Sequence, residues 1–210
     1  MCDDSDARAP SHFPLRMNPF CLRENKSSRA SAAAAGAAPA AASRVLAVDP
    51  SLRGTGFAVL EKNASGKLRA LDFGTIKNRA ELLPSSCLVA IHDRLAELIY
   101  KHEPDCAAIE SVIYVQSHRI AITLGAARGA AILAMAARGL PIFEYAPRRV
   151  KQAVVGRGGA EKQQVAFMVR ALLGLTENPS SDEADALAIG LTHFQMQETA
   201  RHGAIELSRI

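Results

Sequence analysis

Arg44-Val-Leu-Ala-Val-Asp49 is the stretch that decides the fold, because its four consecutive apolar residues end in an acid. A continuous apolar run of this length is typical of a strand that is buried on both faces of a sheet. Cys106-Ala-Ala-Ile-Glu110 repeats the pattern and also ends in an acid. The two runs predict two buried strands, each with a carboxylate at its carboxyl end.

The rest of the chain alternates strand and helix patterns. Further strands are predicted over 55–61, 67–75 and 141–145. Helices are predicted from apolar spacing and from proline and glycine at their ends, over 79–102, 117–138, 147–154, 161–173 and 181–197. Helices that alternate with the later strands predict an α/β domain. Its mixed five-stranded sheet is flanked by helices, with a hairpin unit first and parallel strands after it.

Two of these helices carry apolar residues that predict their inner faces. In the 79–102 helix these residues are Leu82, Leu83, Ile91, Leu95, Leu98 and Ile99. In the 161–173 helix they are Val165, Met168, Val169 and Leu172. We expect these side chains to pack towards the core of the domain.

Composition and charge place few limits on function. The chain has 210 residues, of which 49% are hydrophobic, and a formal net charge of +4, which permits nucleic-acid binding without indicating it. The apolar run 120–137 is interrupted by Arg128 and the N-terminus is acidic, so neither a membrane span nor a secretory signal is expected. A cytoplasmic protein with reduced thiols is predicted, because no CxxC pair and no zinc-ligand spacing with histidine involves Cys2, Cys21, Cys87 or Cys106.

Residues 1–43 differ in character from the rest of the chain. They contain scattered prolines and charges, and an alanine-rich run that Gly36 and Pro39 interrupt. Without sustained apolar periodicity this segment is predicted to be a disordered extension. The predicted organisation is therefore the extension 1–43, a folded domain over 44–198 and a C-terminal tail over 199–210.

The acids Asp49 and Glu110 stand where ligands collect in α/β sheets, at the carboxyl ends of strands. A buried carboxylate is costly unless something pairs with it, and Mg²⁺ prefers carboxylate and water oxygens. Two such ions about 4 Å apart can activate a water and stabilise the leaving oxygen of a phosphodiester. The acids therefore suggest a metal-dependent nuclease.

Two other interpretations of the segment 49–56 stand beside this one. Asp, Pro, Ser and Gly form turns, so the segment could simply cap its strand. An acid followed by a Gly/Thr turn also resembles the phosphate loop of actin-like and hexokinase-like ATPases. Those proteins need two lobes, and this chain is too short for them. Glu110, for its part, could be no more than a solvated strand end.

Asp182 and Asp185 are three residues apart and project from nearly one face of a predicted helix. Acids in a first helical turn suit the helix dipole, and Ser180 with Glu183 fits a capping box, which offers a structural explanation. Asp185, however, adjoins an apolar stripe near the buried edge of the helix, where capping would not place a second charge. It is therefore a candidate metal ligand.

A basic segment follows the fifth predicted strand. It comprises Arg148, Arg149, Lys151, Arg157 and Lys162, with glycines at 156, 158 and 159. The structural interpretation is a solvated helix face. The functional one is a set of phosphate contacts on DNA, for which basic side chains and glycine amides are suited.

Several motifs in order make the chain similar to RuvC-type Holliday junction resolvases, over about residues 44–194. They are Ala47-Val-Asp-Pro50 with Thr55-Gly56, Ala108-Ile-Glu110, Leu124-Gly-Ala-Ala-Arg-Gly129, Phe143-Glu-Tyr-Ala-Pro-Arg-Arg-Val-Lys-Gln-Ala-Val-Val-Gly156 with Ala160-Glu-Lys162, and Asp182-Glu-Ala-Asp-Ala-Leu-Ala188 with Thr192-His193. The stretch 143–156 is the most specific of these.

The resemblance implies a ribonuclease-H-like fold and a homodimer that nicks a four-way DNA junction symmetrically in recombination and repair. It implies Mg²⁺, two ions per active site, with Mn²⁺ as a substitute. The four metal-binding acids of the family fall on Asp49, Glu110, Asp182 and Asp185, and its two DNA-contacting lysines fall on Lys151 and Lys162. Lys162 is also expected to act in catalysis, and the branch-migration proteins RuvA and RuvB are the implied partners.

The sequence departs from the family pattern after the strand that ends at Glu110. The family often has Gln-Val-Phe there, with a Phe that contacts the junction centre, whereas this chain has Ser-Val-Ile113 followed by Tyr114. We expect Ile113 and Tyr114 to take over that contact, and Arg148 and Arg157 to bind phosphates. Two alternatives stay open: a junction-binding scaffold with weak or no cleavage, and a related nuclease with another nucleic-acid target.

Overall fold

The computed structural model describes residues 42–112, 117–203 and 207–210. Its strands are β1 Ser43–Asp49, β2 Gly54–Lys62, β3 Leu68–Lys77, β4 Cys106–Glu110 and β5 Ile142–Tyr145. Its helices are α1 Pro84–His102, α2 His118–Ala136, α3 Pro147–Val155, α4 Lys162–Leu173 and α5 Ser181–Arg201. The order of strands and helices agrees with the predicted alternation.

The five strands form one mixed sheet in the order β3-β2-β1-β4-β5. Strand β2 pairs antiparallel with both β1 and β3, whereas β4 runs parallel to both β1 and β5. This confirms the predicted fold class, with its hairpin unit first and parallel strands after it. The chain reaches β4 by crossing over from the outer strand β3, so β1 lies in the middle of the sheet.

The helices bury both faces of the sheet. Because successive side chains of a strand point to opposite faces, Val45 and Ala47 of β1 contact the side covered by α3, α4 and α5. Leu46 and Val48 contact the opposite side, covered by α1 and α2. This explains why the run in β1 is apolar at every position rather than at alternate ones.

The first helix starts later than predicted, at Pro84 instead of residue 79. A proline disfavours helical geometry in the residue before it, and Leu83 is indeed extended, with φ −60° and ψ 147°. As a result Leu82 and Leu83, which were predicted to be inside, are exposed, the latter by 69%. The prediction was wrong because it continued the apolar pattern through a proline.

The inner face of α4 was also predicted incorrectly at one position. Val165 and Val169 are buried, but Leu172 is 51% exposed and Leu173 packs against the core instead. The contact therefore continues at a spacing of four residues, along the row that faces α5. Met168 lies at the edge of this contact and is partly buried.

Regular structure near the C-terminus extends further than the sequence pattern indicates. Helix α5 continues to Arg201, beyond the predicted end at 197. Further on, Arg209 forms an antiparallel bridge with Phe143, and the Ile210 amide donates to the Ile142 carbonyl at 3.1 Å. These residues cover part of the free edge of β5, which a sheet otherwise exposes to pairing with other chains.

Candidate active site

Asp49 and Glu110 are neighbours because β1 and β4 are parallel and in register. Val48 pairs with Ile109, so the following residue on each strand is an acid at the same edge of the sheet. Alternation along both strands directs the two side chains to the side covered by α5, where Ala47 and Ala108 also lie. The sheet therefore brings together two carboxylates that are far apart in sequence.

The third carboxylate, Asp185, comes from the first turns of α5. Ser180 caps this helix, and Glu183 completes a capping box with it, as the structural explanation of the acidic segment predicts. That explanation accounts for Glu183 but not for Asp185, whose side chain lines the same cavity as Asp49 and Glu110. The capping and site interpretations thus apply to different acids of one segment.

Asp182 lies on the β2 side of this helix turn. Its Oδ2 atom is 2.8 Å from the place where a Cβ atom on Gly54 would stand. A Cβ on Gly56 would overlap the Asp182 carbonyl oxygen. The two glycines therefore let the first turn of α5 approach β2 more closely than any side chain would permit. Asp182 is close enough to Asp49 to raise its pKa, but it does not line the cavity.

The cavity between these elements has a volume of about 280 Å³. Its charged lining residues are Asp49, Glu110, Asp185, Lys151 and Lys162, and its apolar ones are Pro147, Val150 and Val165. The Lys162 Nζ atom is 3.5 Å from Asp185 Oδ2 and 3.1 Å from Ser181 Oγ. The arrangement combines several oxygen ligands with two cationic side chains at one opening.

The pKa values of two of the acids are strongly raised. Burial raises the pKa of Asp49 from 3.8 to about 6, and the charges of Asp185 and Asp182 add to this. The pKa of Glu110 rises from 4.5 to about 7, again through burial first and then through Asp49 and Asp185. Lys162 opposes both shifts without cancelling them. Without a bound cation the site therefore disfavours the charged form of both carboxylates.

The donor set suits a hard divalent cation. All four candidate ligands are carboxylates, the oxygen donors that Mg²⁺ takes. A bound cation would offset the burial and the repulsion that raise the two pKa values. Within residues 42–112, 117–203 and 207–210, no three His, Cys, Asp or Glu side chains converge tightly enough to hold an ion as they stand. Water or phosphate oxygens would therefore have to complete the coordination of a bound ion.

The remaining basic candidates lie beside the cavity. Arg148 is exposed on α3 and its side chain lies over Gly158, where a Cβ atom would overlap it. Arg157 is exposed in the loop that follows Gly156, and its Nη2 donates to Gln164 Oε1 at 2.9 Å. Ile113 and Tyr114, the predicted junction contacts, lie outside the described residues.

Arg128 is a residue at the site that sequence reasoning missed. Its guanidinium donates to the Glu110 carbonyl oxygen and to Glu144 Oε1, both at 2.5 Å. It thereby fixes the ends of β4 and β5 from the opposite side of the sheet. The available signals were a single arginine in an apolar helix and its place in the motif 124–129, neither of which we connected with the site.

A second group of buried residues lies behind the acids. His193 is fully buried, with Nδ1 2.8 Å from the Tyr145 hydroxyl and Nε2 3.1 Å from Cys106 Sγ. Burial lowers the pKa of His193 to about 4 and raises the pKa of Cys106 to about 12. The imidazole is therefore neutral, and it joins α5 to β4 and β5, the strands beside the site.

Comparison with known proteins shows extensive similarity. The sequence model of a family described as crossover junction endodeoxyribonuclease RuvC matches residues 45–193. The protein of that name from Akkermansia muciniphila is 57% identical over 151 residues, which is 72% of this chain and 90% of that protein. The one from Edwardsiella ictaluri is 43% identical over 168 residues, which is 79% of this chain and 96% of that protein.

Solved structures agree with these sequence relatives. Thermus thermophilus RuvC in complex with Holliday junction substrate superposes with a TM-score of 0.72 at 34% identity, covering 80% of this chain and 99% of that one. The yeast mitochondrial Holliday junction resolvase Ydc2 superposes with a TM-score of 0.58 at 13% identity, covering 77% and 83%. The second similarity concerns the fold alone.

Proposed function

The chain belongs to the RuvC family of crossover junction endodeoxyribonucleases, and from this we propose that it resolves Holliday junctions by paired nicks in opposed strands. The observation that carries the proposal is the cavity in which Asp49, Glu110 and Asp185 meet Lys151 and Lys162. Acids that converge in this way would weaken DNA binding by a protein that only binds DNA, because the carboxylates repel the DNA phosphates. A nuclease needs them.

We assign the binding of divalent metal to Asp49, Glu110, Asp182 and Asp185. The family is metal-dependent in general, and for this chain we propose Mg²⁺, two ions per site, with Mn²⁺ as a substitute. Bound ions of this kind activate a water and stabilise the leaving oxygen of the phosphodiester. Burial and mutual repulsion support the assignment, because they disfavour the charged carboxylates unless a positive charge is bound beside them.

Lys162 and Lys151 act on the DNA in this proposal. The Lys162 side chain is 72% exposed and contacts Asp185 at the rim of the cavity, so it can reach a phosphate that enters. There it neutralises charge that builds up on the phosphoryl oxygens. Lys151 holds the backbone beside it, and Arg148 and Arg157 extend the basic surface to neighbouring phosphates.

We also propose that the protein acts as a homodimer, because two nicks on opposed strands need two sites related by a two-fold axis. The outer face of α2 supports this. Ile122 is 73% exposed, Leu133 is 60% exposed, and Gly125 and Gly129 have no atom within 4 Å of a hypothetical Cβ. Two other small residues of α2, Ala127 and Ala131, are buried in the core and cannot lie at this interface.

The length and apolar composition of α2 would also allow a membrane span, a test that helices in the core of globular domains pass as well. The dimer accounts for the same exposed face without a membrane. From the family resemblance we add RuvA and RuvB as partners, and the cytoplasm as the compartment in which recombination and repair take place.

Glutamate at Ile122 or Leu133 should prevent dimerisation, because either carboxylate would be buried in an apolar interface. We expect light scattering at micromolar concentration to show a dimer for the wild type and a monomer for Ile122→Glu. The matched control is Val89→Glu, at an exposed apolar position of α1, which should stay dimeric. A wild type that is monomeric yet still cuts both strands together would contradict the dimer.

The function is tested with a mobile four-way junction, a duplex and a single strand of the same sequence, each incubated with the full chain and Mg²⁺. We expect paired nicks in opposed strands of the junction and little cutting of the other two. Tight junction binding without nicks would identify a scaffold. Equal or better cutting of another nucleic acid would identify a nuclease with a different target.

A further inference from the structure

Thr75 carries a feature that its place in the sheet does not require. Its hydroxyl oxygen is the one buried side-chain nitrogen or oxygen without a hydrogen-bond partner among the residues that the structure describes. Burying a hydroxyl without a partner is costly, and folded proteins contain few such groups. Valine has the same shape and would fill this position of β3 without that cost, so the hydroxyl calls for an explanation.

The Thr75 side chain lies on the same side of the sheet as the candidate metal ligands. Ile76, the next residue of β3, packs in the core formed with α1 and α2, so Thr75 points to the opposite side, towards α5. Across the sheet Thr75 pairs with Gly56, the residue that lets α5 approach β2. The hydroxyl is therefore buried beneath the first turn of α5.

The Asp182 carboxylate lies near the Thr75 side chain. A Cβ on Gly54 would lie 2.8 Å from Asp182 Oδ2 and 3.7 Å from Thr75 Cγ2, so the carboxylate and the threonine flank the same gap. Within the described part of the chain, the Asp182 carboxylate accepts no side-chain hydrogen bond. A buried hydroxyl without an acceptor and a carboxylate without a side-chain donor thus border the same space at Gly54.

We propose that Thr75 is a positioning residue, whose hydroxyl donates to the Asp182 carboxylate when that carboxylate holds the metal ion. The inference rests on the proposed function, because it assigns Asp182 as a ligand. A carboxylate has two oxygens, so one can bind a cation while the other accepts a hydrogen bond. Such partners orient ligands, and their loss typically lowers metal affinity by about 10- to 100-fold.

The proposal is tested by titrating the full-length protein with Mg²⁺ alone and following its melting temperature. Thr75→Val should melt at or above the wild-type temperature without metal, because it removes the unsatisfied hydroxyl. Its Mg²⁺ midpoint should lie about 10-fold higher than that of the wild type. Thr75→Ser, which keeps the hydroxyl, should restore the wild-type midpoint. A purely structural role would change the melting temperature and leave the midpoint alone.

Three comparisons separate the outcomes. Thr199→Val is the matched control, since its hydroxyl already donates to the Gln195 carbonyl, and it should leave the midpoint unchanged. If Asp182→Asn raises the midpoint but neither Thr75→Val nor Thr75→Ala does, the role of Thr75 is refuted while the metal site stands. If Asp182→Asn has no effect either, the assignment of Asp182 as a ligand fails, and the role of Thr75 fails with it.

Discussion

Replacing Asp49, Glu110 or Asp185 by the corresponding amide is expected to abolish junction cleavage and to leave junction binding intact. Each change removes one negative charge from the site that we propose to hold metal through its carboxylates. Binding depends on the basic surface around the cavity, and it should be equal or tighter once a repelling charge is gone. Cleavage is measured with Mg²⁺, and binding to the same junction is measured without it.

The matched control for the amide variants is Glu97→Gln, at an exposed position of α1 remote from the cavity. It should cut at the wild-type rate. Substantial cleavage by any one of the three site amides in Mg²⁺ would refute the assignment of that residue. Loss of binding together with cleavage would place the residue in DNA contact or in folding instead.

The same amides should have the opposite effect on stability when metal is absent. The pKa values of Asp49 and Glu110 are raised in the folded protein to about 6 and about 7, so the folded state holds protons that the unfolded state releases. The stability that this gives is present below about pH 4 and is lost as pH rises through 6 and 7. Wild type in EDTA should therefore lose stability over this interval.

Asp49→Asn has no such charge to develop at that position. In EDTA at pH 8 its free energy of unfolding should exceed that of the wild type by on the order of 1–3 kcal/mol, and the difference should shrink towards pH 4.5. Saturating Mg²⁺ should raise the melting temperature of the wild type more than that of the variant. A difference that stays constant across this pH range would show that the acid is not destabilised by its surroundings.

The second large effect is expected from Gly56→Ala. The new methyl group would overlap the carbonyl oxygen of Asp182, which is backbone and cannot rotate away. Either β2 or the first turn of α5 must therefore move, and overpacking of this kind costs about 1–3 kcal/mol or more. Because α5 carries Asp182 and Asp185, a shift of about 1 Å would also reduce cleavage by roughly 100-fold.

Thermal unfolding and junction cleavage measure the two effects of Gly56→Ala separately. The control is Gly159→Ala, since a Cβ atom there has no neighbour within 4 Å and the melting temperature should hardly change. An unchanged melting temperature and full activity for Gly56→Ala would mean that α5 does not depend on this close approach.

The strand ends of the candidate site could be predicted from local sequence. The runs before Asp49 and Glu110 are apolar at every position because both faces of β1 and β4 are covered, and that pattern is visible without a structure. That Asp49 and Glu110 are neighbours in space could not be predicted, because it depends on the pairing of β1 with β4 and on the register of Val48 with Ile109. No local pattern encodes a pairing between residues so distant in the chain.

The different surroundings of Asp182 and Asp185 could not be predicted for a similar reason. Their spacing places both on one helical face, but the rotation of α5 against the sheet is set by its contact with Gly54 and Gly56.

The buried face of α2 could not be predicted either. Its alanines and glycines give no clear apolar stripe, so the sequence could not distinguish the buried Ala127 from the exposed Ala126.

The place of α5 after all five strands also bears on how the protein is made. Asp49 and Glu110 leave the ribosome early, but Asp185 follows only after the whole sheet and four helices have been translated. On the proposed assignment, a nascent chain therefore lacks a complete set of acids until the start of α5 has been translated, and so does any fragment that ends before Ser181. Proteins fold by domains as they are synthesised, so the ability to cut DNA arises together with the completed domain.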